Sequence, residues 1–204
     1  MPSRRPVFSS SWTLLTSWTT SKTSGPTPNC RRALRGSNIR LVIGIDPGSK
    51  VTGYGLVADQ DGRLVCLRSG QVKPPAGWPL ARRLAAVFDG LMEVIQSYQP
   101  QEMAVEDIFF ARNARSALAL GHVRGVALLA AAKKGLVVQA YAPNAIKKSV
   151  VGYGRASKDQ VSRMVKSLLS LDQSLSPDVT DALACAICHL NTSATLNRLK
   201  AQRG

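Results

Sequence analysis

Four acidic residues stand where acids are unusual. Asp46 ends an apolar run, LVIGID, directly ahead of Pro47-Gly48, and Glu106 sits inside a second run, MAVEDIF. Asp178 and Asp181 lie three apart in PDVTDALACAICH. The Asp46 carboxylate is expected to meet solvent at a sheet edge. Strand alternation sends Glu106 to the face opposite Val105 and Asp107, where an acid is costly to bury unless paired or bound to metal. Asp178 and Asp181 share one face at a helix start, where the positive end of the dipole favours negative charge. If one cleft collects all four, their repulsion calls for cations. An all-oxygen ligand set selects a hard ion, Mg²⁺ or Mn²⁺, over zinc. Two such ions about 3.5–4 Å apart would activate a water and stabilise the leaving oxygen of a phosphodiester. The plain alternative makes each acid solvated surface or a helix cap, a role that suits Asp178 in particular.

The elements that must bring these acids together follow from the hydrophobic pattern. LVIGID (41–46), VTGYGLVA (51–58) and LVCLRSGQV (64–72) read as strands, with DQDG (59–62) as a turn between the last two. Three strands with short connections make an antiparallel meander. Leu84, Val87, Phe88, Leu91 and Ile95 give helical spacing over 80–98. A strand over 103–109, a helix over 113–134, a strand over 136–142 and helices over 157–170 and 177–191 complete the order. Pro177 suits the first turn of the last helix, with Ser176 as its cap. Five strands and their helices make a mixed α/β domain over 41–192, followed by a C-terminal tail over 193–204.

Residues 1–40 differ from the rest. They carry seven bases and no acid, are rich in Ser and Thr, and show no sustained period. Such a stretch buries too little apolar surface to fold alone, so a disordered basic extension is expected. A transit peptide, a basic tail that adds DNA affinity, and a start codon placed too far upstream all remain open as its origin.

Over the whole chain, 27 Lys and Arg against 12 Asp and Glu give +15. That charge favours a polyanionic partner, nucleic acid first among them. No run of eighteen or more apolar residues is present, so no membrane span is expected. Cys30, Cys66, Cys185 and Cys188 form no compact disulfide framework, which favours a reducing, cytoplasmic setting. Lys147, Lys148, Arg155, Lys158, Arg163 and Lys166 surround GYG (152–154) and suit contact with phosphates. Phe109 and Phe110 follow Glu106, where an exposed aromatic would stack on an unpaired base. Gly-rich PGSKVTGYG (47–55) lacks the P-loop lysine spacing and reads as a tight turn. Cys185-Ala-Ile-Cys188-His189 matches the haem c attachment pattern, yet within an apolar helix the cysteines read better as small packing residues.

GIDPGSKVTGYG (44–55), VEDIFFARNARSALALGHVRGV (105–126), KKSVVGYGRASKDQV (147–161) and PDVTDALACAICH (177–189) resemble successive motifs of the RuvC family of Holliday-junction resolvases. The resemblance spans roughly 41–191, in order. It implies an RNase H-like fold, a mixed five-stranded sheet with helices on both faces. It also implies a homodimer that makes paired, Mg²⁺-dependent nicks in four-way junction DNA, with two ions per site and Mn²⁺ as a substitute. A 5′-phosphate and a 3′-hydroxyl would remain. The implied partner is the branch-migration motor of the same pathway, RuvA and RuvB. Asp46, Glu106, Asp178 and Asp181 take the places of the metal-binding acids, Phe109 that of the aromatic entering the junction, and Lys147 and Lys158 those of basic DNA contacts. Three departures stand out. Asp107 replaces a usual amide and is expected to add negative charge beside the site, two cysteines occupy the last helix, and residues 1–40 have no counterpart. His189 lies eight residues beyond Asp181, about 12 Å along a helix at 1.5 Å per residue, too far to serve as an obvious base.

Overall fold

The structure, a computed structural model, describes residues 21–22, 39–107 and 114–201. In chain order these form β1 (Ser21–Lys22), β2 (Arg40–Asp46), β3 (Thr52–Gln60), β4 (Arg63–Val72), α1 (Leu80–Tyr98), β5 (Glu102–Glu106), α2 (Ala114–Lys133), β6 (Val137–Tyr141), α3 (Pro143–Val151), α4 (Lys158–Leu169) and α5 (Pro177–Ala201). Strand order is β1-β4-β3-β2-β5-β6. The meander β2-β3-β4 is antiparallel, while β5 joins β2, and β6 joins β5, in parallel. Five strands thus make the expected mixed sheet. The two-residue β1 adds to it at the outer edge of β4.

The continuous apolar run of β2 belongs to a strand covered on both faces. Alternation splits it: Leu41, Ile43 and Ile45 pack with Met103 and Val105 against Val87, Leu91 and Ile95 of α1 and Val123 and Ala127 of α2. Val42 and Ala104 face the other way, under Leu183 and Ile187 of α5, with α3 and α4 flanking. The β3–β4 hairpin turns on Asp61 and Gly62, at φ 53° and 88°. That left-handed pair gives a two-residue loop the twist its strands need. The Gly62 N–H donates to Asp59 Oδ1 at 2.8 Å.

Two glycines set how closely α5 lies on the sheet. A Cβ on Gly44 would fall 2.0 Å from the Ala182 carbonyl oxygen, and one on Gly55 2.5 Å from the Leu183 side chain. They are direct partners across β2 and β3, so together they form a bare track for the helix. The tight-turn reading of 47–55 therefore holds only for its first half. The second half is strand, and its glycines make room for α5.

Three boundaries differ from expectation. The helix α3 was not anticipated; Pro143 starts it at a first-turn position, and Ile146 and Val150, one turn apart, are its buried anchors. The strand expected over 103–109 ends at Glu106, with 108–109 outside the described residues. The last helix continues to Ala201, through residues expected as tail. Polar residues there bond back along the helix: Thr192 Oγ1 donates to the Cys188 carbonyl and Ser193 Oγ to that of His189, both at 2.7 Å.

Candidate active site

Asp46 is the last residue of β2, which lies at the middle of the sheet rather than at its edge. The half-buried carboxylate therefore emerges at a strand end. Glu106 closes the neighbouring β5, and the parallel register, with Ile45 opposite Val105, sets the two acids side by side. Both lie on the face that α5 covers, the side of Val42 and Ala104. Gly53 stands directly across the ladder from Asp46, and a Cβ there would fall 2.1 Å from the Asp178 carbonyl oxygen. The first turn of α5 thus rests on bare strand beside Asp46. Ser176 Oγ accepts the Val179 N–H at 3.4 Å, the expected cap.

Asp46, Glu106 and Asp181 line one cleft of about 330 Å³, together with Lys147, Lys158 and Ile146. Burial, then the nearby charges of Glu106, Asp181 and Asp178, push the Asp46 carboxyl up to about 7. Burial and Asp181 push Glu106 up to about 7 as well, with Lys158 and Lys147 opposing. Both shifts describe carboxylates that burial and neighbouring negative charge hold toward the neutral form. Asp178 acts on Asp46 from just beside the cleft, where Gln71 Nε2 donates to its Oδ2 at 2.8 Å. Asp181 meets the Lys158 ammonium at 3.2 Å. Among the described residues no group of three or more His, Cys, Asp or Glu side chains is arranged to ligate an ion as it stands. The oxygens are gathered, and two of the four acids lean on polar neighbours instead.

The other expected residues fall as follows. Lys147, on α3, lines the cleft, and Lys158 opens α4 at its rim. Phe109 and Phe110 lie outside the described residues. The Asp107 side chain bridges to Arg124 of α2 at 3.3 Å, on the far side of the sheet from Glu106. Burial, Asp181 and the two lysines are what shift Glu106, so the expected addition of charge beside the site is met by a paired arginine. Cys185 and Cys188 are buried thiols of α5 raised by desolvation, packed in the core between that helix and the sheet. His189 is occupied elsewhere, between Tyr141 and Glu102. Sequence reasoning missed Gln71, Gly44 and Gly53. Only the glycine spacing in GIDPGSKVTGYG offered a signal for the last two.

Comparison with known proteins bears on the chain as a whole. A family model, Crossover junction endodeoxyribonuclease RuvC, matches residues 42–189. The curated crossover junction endodeoxyribonuclease RuvC of Koribacter versatilis is 55% identical over 163 residues, 79% of this chain and 98% of that protein. Its counterpart from Geobacter metallireducens is 47% identical over 162 residues, 79% of this chain and 99% of that protein. Among solved structures, Thermus thermophilus RuvC in complex with a Holliday junction substrate superposes with a TM-score of 0.73 at 33% identity, covering 76% of this chain and 96% of that one. The yeast mitochondrial Holliday junction resolvase shares the fold, with a TM-score of 0.58 at 11% identity, over 78% of this chain and 82% of that one. The chain belongs to the RuvC family of crossover junction endodeoxyribonucleases.

Proposed function

We propose that this protein resolves four-way DNA junctions as a homodimer, each protomer hydrolysing one phosphodiester bond with Asp46, Glu106, Asp178 and Asp181 as ligands for Mg²⁺. The observation that carries the reading is the single cleft in which Asp46, Glu106 and Asp181 crowd and two of them rise to about 7. Carboxylates so placed fit divalent cations by charge, and their oxygens fit a hard ion. When bound, Mg²⁺ supplies Lewis-acid stabilisation of charge at the reacting phosphate. Mn²⁺ suits the same oxygens.

The chain's own groups supply the rest. Lys147 and Lys158 sit at the cleft where a phosphate backbone would enter, offering mobile positive charge without closing the site. Phe109, directly beyond the catalytic strand in sequence, is the aromatic we assign to stacking at the junction centre. Dimerisation finds a ready surface on α2. Leu118 and Leu129 there are 67% and 51% exposed, and a Cβ on Gly121 or Gly125 would meet nothing within 4 Å. An uncharged stripe of that kind on an otherwise basic protein suits a second copy of itself. A twofold dimer presents two identical sites to a junction of matching symmetry, so strands of like polarity would be cut in pairs. On the family resemblance alone, the branch-migration motor RuvA and RuvB is the partner that delivers the junction.

Cleavage of a synthetic four-way junction, set beside linear duplex and RNA hairpins, tests the reading. Paired nicks in the junction with Mg²⁺, lost in Asp46→Asn and Asp181→Asn, are expected. Full activity in either variant, or equal cutting of linear duplex, would sink it.

A further inference from the structure

Gln71 occupies β4 directly opposite Gly53 of β3. Side chains so paired share a face, and here that face is the one under the first turn of α5. Because Gly53 has no side chain, the first turn of α5 can lie directly on it: a Cβ there would fall 2.1 Å from the Asp178 carbonyl oxygen. The Gln71 amide donates twice from Nε2, to Asp178 Oδ2 and to Ser176 Oγ, each at 2.8 Å. Two acceptors match the two protons that an amide nitrogen carries, so its orientation is determined from both sides. Ser176 in turn caps α5, which ties the amide to the helix that carries Asp178.

The neighbouring acid shows what is particular about this. Asp181 is held by Lys158, a cation whose side chain is 76% exposed and whose charge offsets that of the carboxylate. Asp178 is held by a neutral group. An amide aims a carboxylate without cancelling its charge, and this one takes up Oδ2 while making no use of Oδ1. Such outer contacts set ligand direction, and their loss typically weakens metal binding by about 10- to 100-fold.

We propose that Gln71 is a positioning residue that presents Asp178 to the divalent cation, an inference that rests on the reading of the four acids as cation ligands. It acts through Asp178 and touches neither DNA nor metal. Gln71→Met keeps the length and removes both donors, while Gln71→Asn keeps an amide that falls short of Asp178. Calorimetric titration of each with Mn²⁺ in the absence of DNA, beside wild type and Asp178→Asn, isolates the effect. The expected result is a Kd raised about 10- to 100-fold in both Gln71 variants. Junction affinity measured in chelator stays at the wild-type value, and turnover recovers as Mn²⁺ is raised. If both variants titrate like wild type while Asp178→Asn loses the metal, Gln71 has no such role and the four-acid reading stands. A wild-type protein that takes up no Mn²⁺ would overturn the four-acid reading, and the role of Gln71 with it.

Discussion

The strand β5 carries two glutamates on one face, under one helix, and they are treated oppositely. At its start, Glu102 is gripped by Arg40, whose Nε and second guanidinium nitrogen donate to the two carboxylate oxygens, the latter at 2.5 Å. His189 Nε2 donates to it as well, at 2.5 Å, and His189 Nδ1 shares a hydrogen bond with the Tyr141 hydroxyl at 2.8 Å. The Arg40 contact first, and His189 after it, hold the Glu102 carboxyl below the usual range. At the other end Glu106 meets Asp181 and two lysines at a distance, and rises to about 7. A chain with fifteen excess positive charges leaves this cluster undersupplied. The saturated end contributes structure. On the proposed reading the crowded end is the one that takes cations, which would make the same residue type a working group there rather than a strut.

Exchanging charge for amide at each end is the strongest way to break that contrast. Asp46→Asn should lower junction turnover by about a thousandfold, the several kcal/mol of charge stabilisation that a metal ligand supports. The same change should raise the melting temperature in chelator, since it relieves repulsion. Glu102→Gln should do the reverse, leaving turnover near wild type and destabilising the fold by about 1–3 kcal/mol as buried donors lose their acceptor. Junction cleavage and thermal melting of both variants decide it. A Glu102→Gln protein as inactive as Asp46→Asn would mean the two ends are not separable.

Between the ends runs the glycine track, and Gly44→Ala strikes there. The new methyl meets the Ala182 backbone oxygen at 2.0 Å, and backbone cannot step aside as a side chain can. Lifting α5 should cost about 3 kcal/mol, the upper end for overpacking, and should remove Asp178 and Asp181 from Asp46. Denaturant unfolding measures the first effect and Mn²⁺ affinity the second. Loss of stability with unchanged Mn²⁺ affinity would show that α5 is located by something other than this track.

How far these features could be read beforehand divides along similar lines. The strands of the meander were legible because Asp61-Gly62 demands a two-residue turn and the apolar runs beside it are unbroken. Asp46 and Glu106 stand out in the sequence because each interrupts an apolar run, and Asp178 and Asp181 because they lie three apart at a helix start. The pairing of Glu102 with Arg40 and His189 was not, since it needs β2 and β5 aligned in parallel and α5 laid across them, contacts 62 and 87 residues apart. Glycine in a strand looks like a turn until the helix that needs the space is known, which hid the role of Gly44 and Gly53. The helix α3 was hidden by Pro143, a residue that reads as a stop after a strand as readily as a helix start. Gln71 gave no signal at all, because nothing in LVCLRSGQV marks one polar residue above another.

Acidity should pull the two ends apart with a smaller effect. Asp46 and Glu106 have folded values near 7 against ordinary values of 3.8 and 4.5. Folding therefore favours their protonated forms, and the stability they contribute is present below about pH 4 and lost as the pH rises through about 7. Glu102 is lowered, so its contribution is present above 4.5 and lost as the pH falls through its folded value. In chelator, the melting temperature should decline from mildly acid to neutral pH, and Asp46→Asn should flatten that decline. Added Mg²⁺ should raise the melting temperature more at pH 8 than at pH 5, because the cation supplies the missing charge only where the acids are ionised. An Mg²⁺ effect independent of pH would argue against crowded carboxylates as its site.

The smallest expected change comes from Lys158, the cation nearest the crowded end. Its contact with Asp181 is largely solvated, and pairs of that kind contribute about 0–1 kcal/mol. Lys158→Ala should therefore leave denaturant stability almost unchanged, in contrast to Glu102→Gln. If Lys158 turns from Asp181 to a phosphate when DNA enters, the variant should bind junctions more weakly at low salt. The slope of log affinity against log salt should fall by about one, the share of a single phosphate contact. A variant with the wild-type salt slope but weaker stability would make Lys158 a strut like Arg40. The cleft would then be less short of positive charge than its two raised carboxyls indicate.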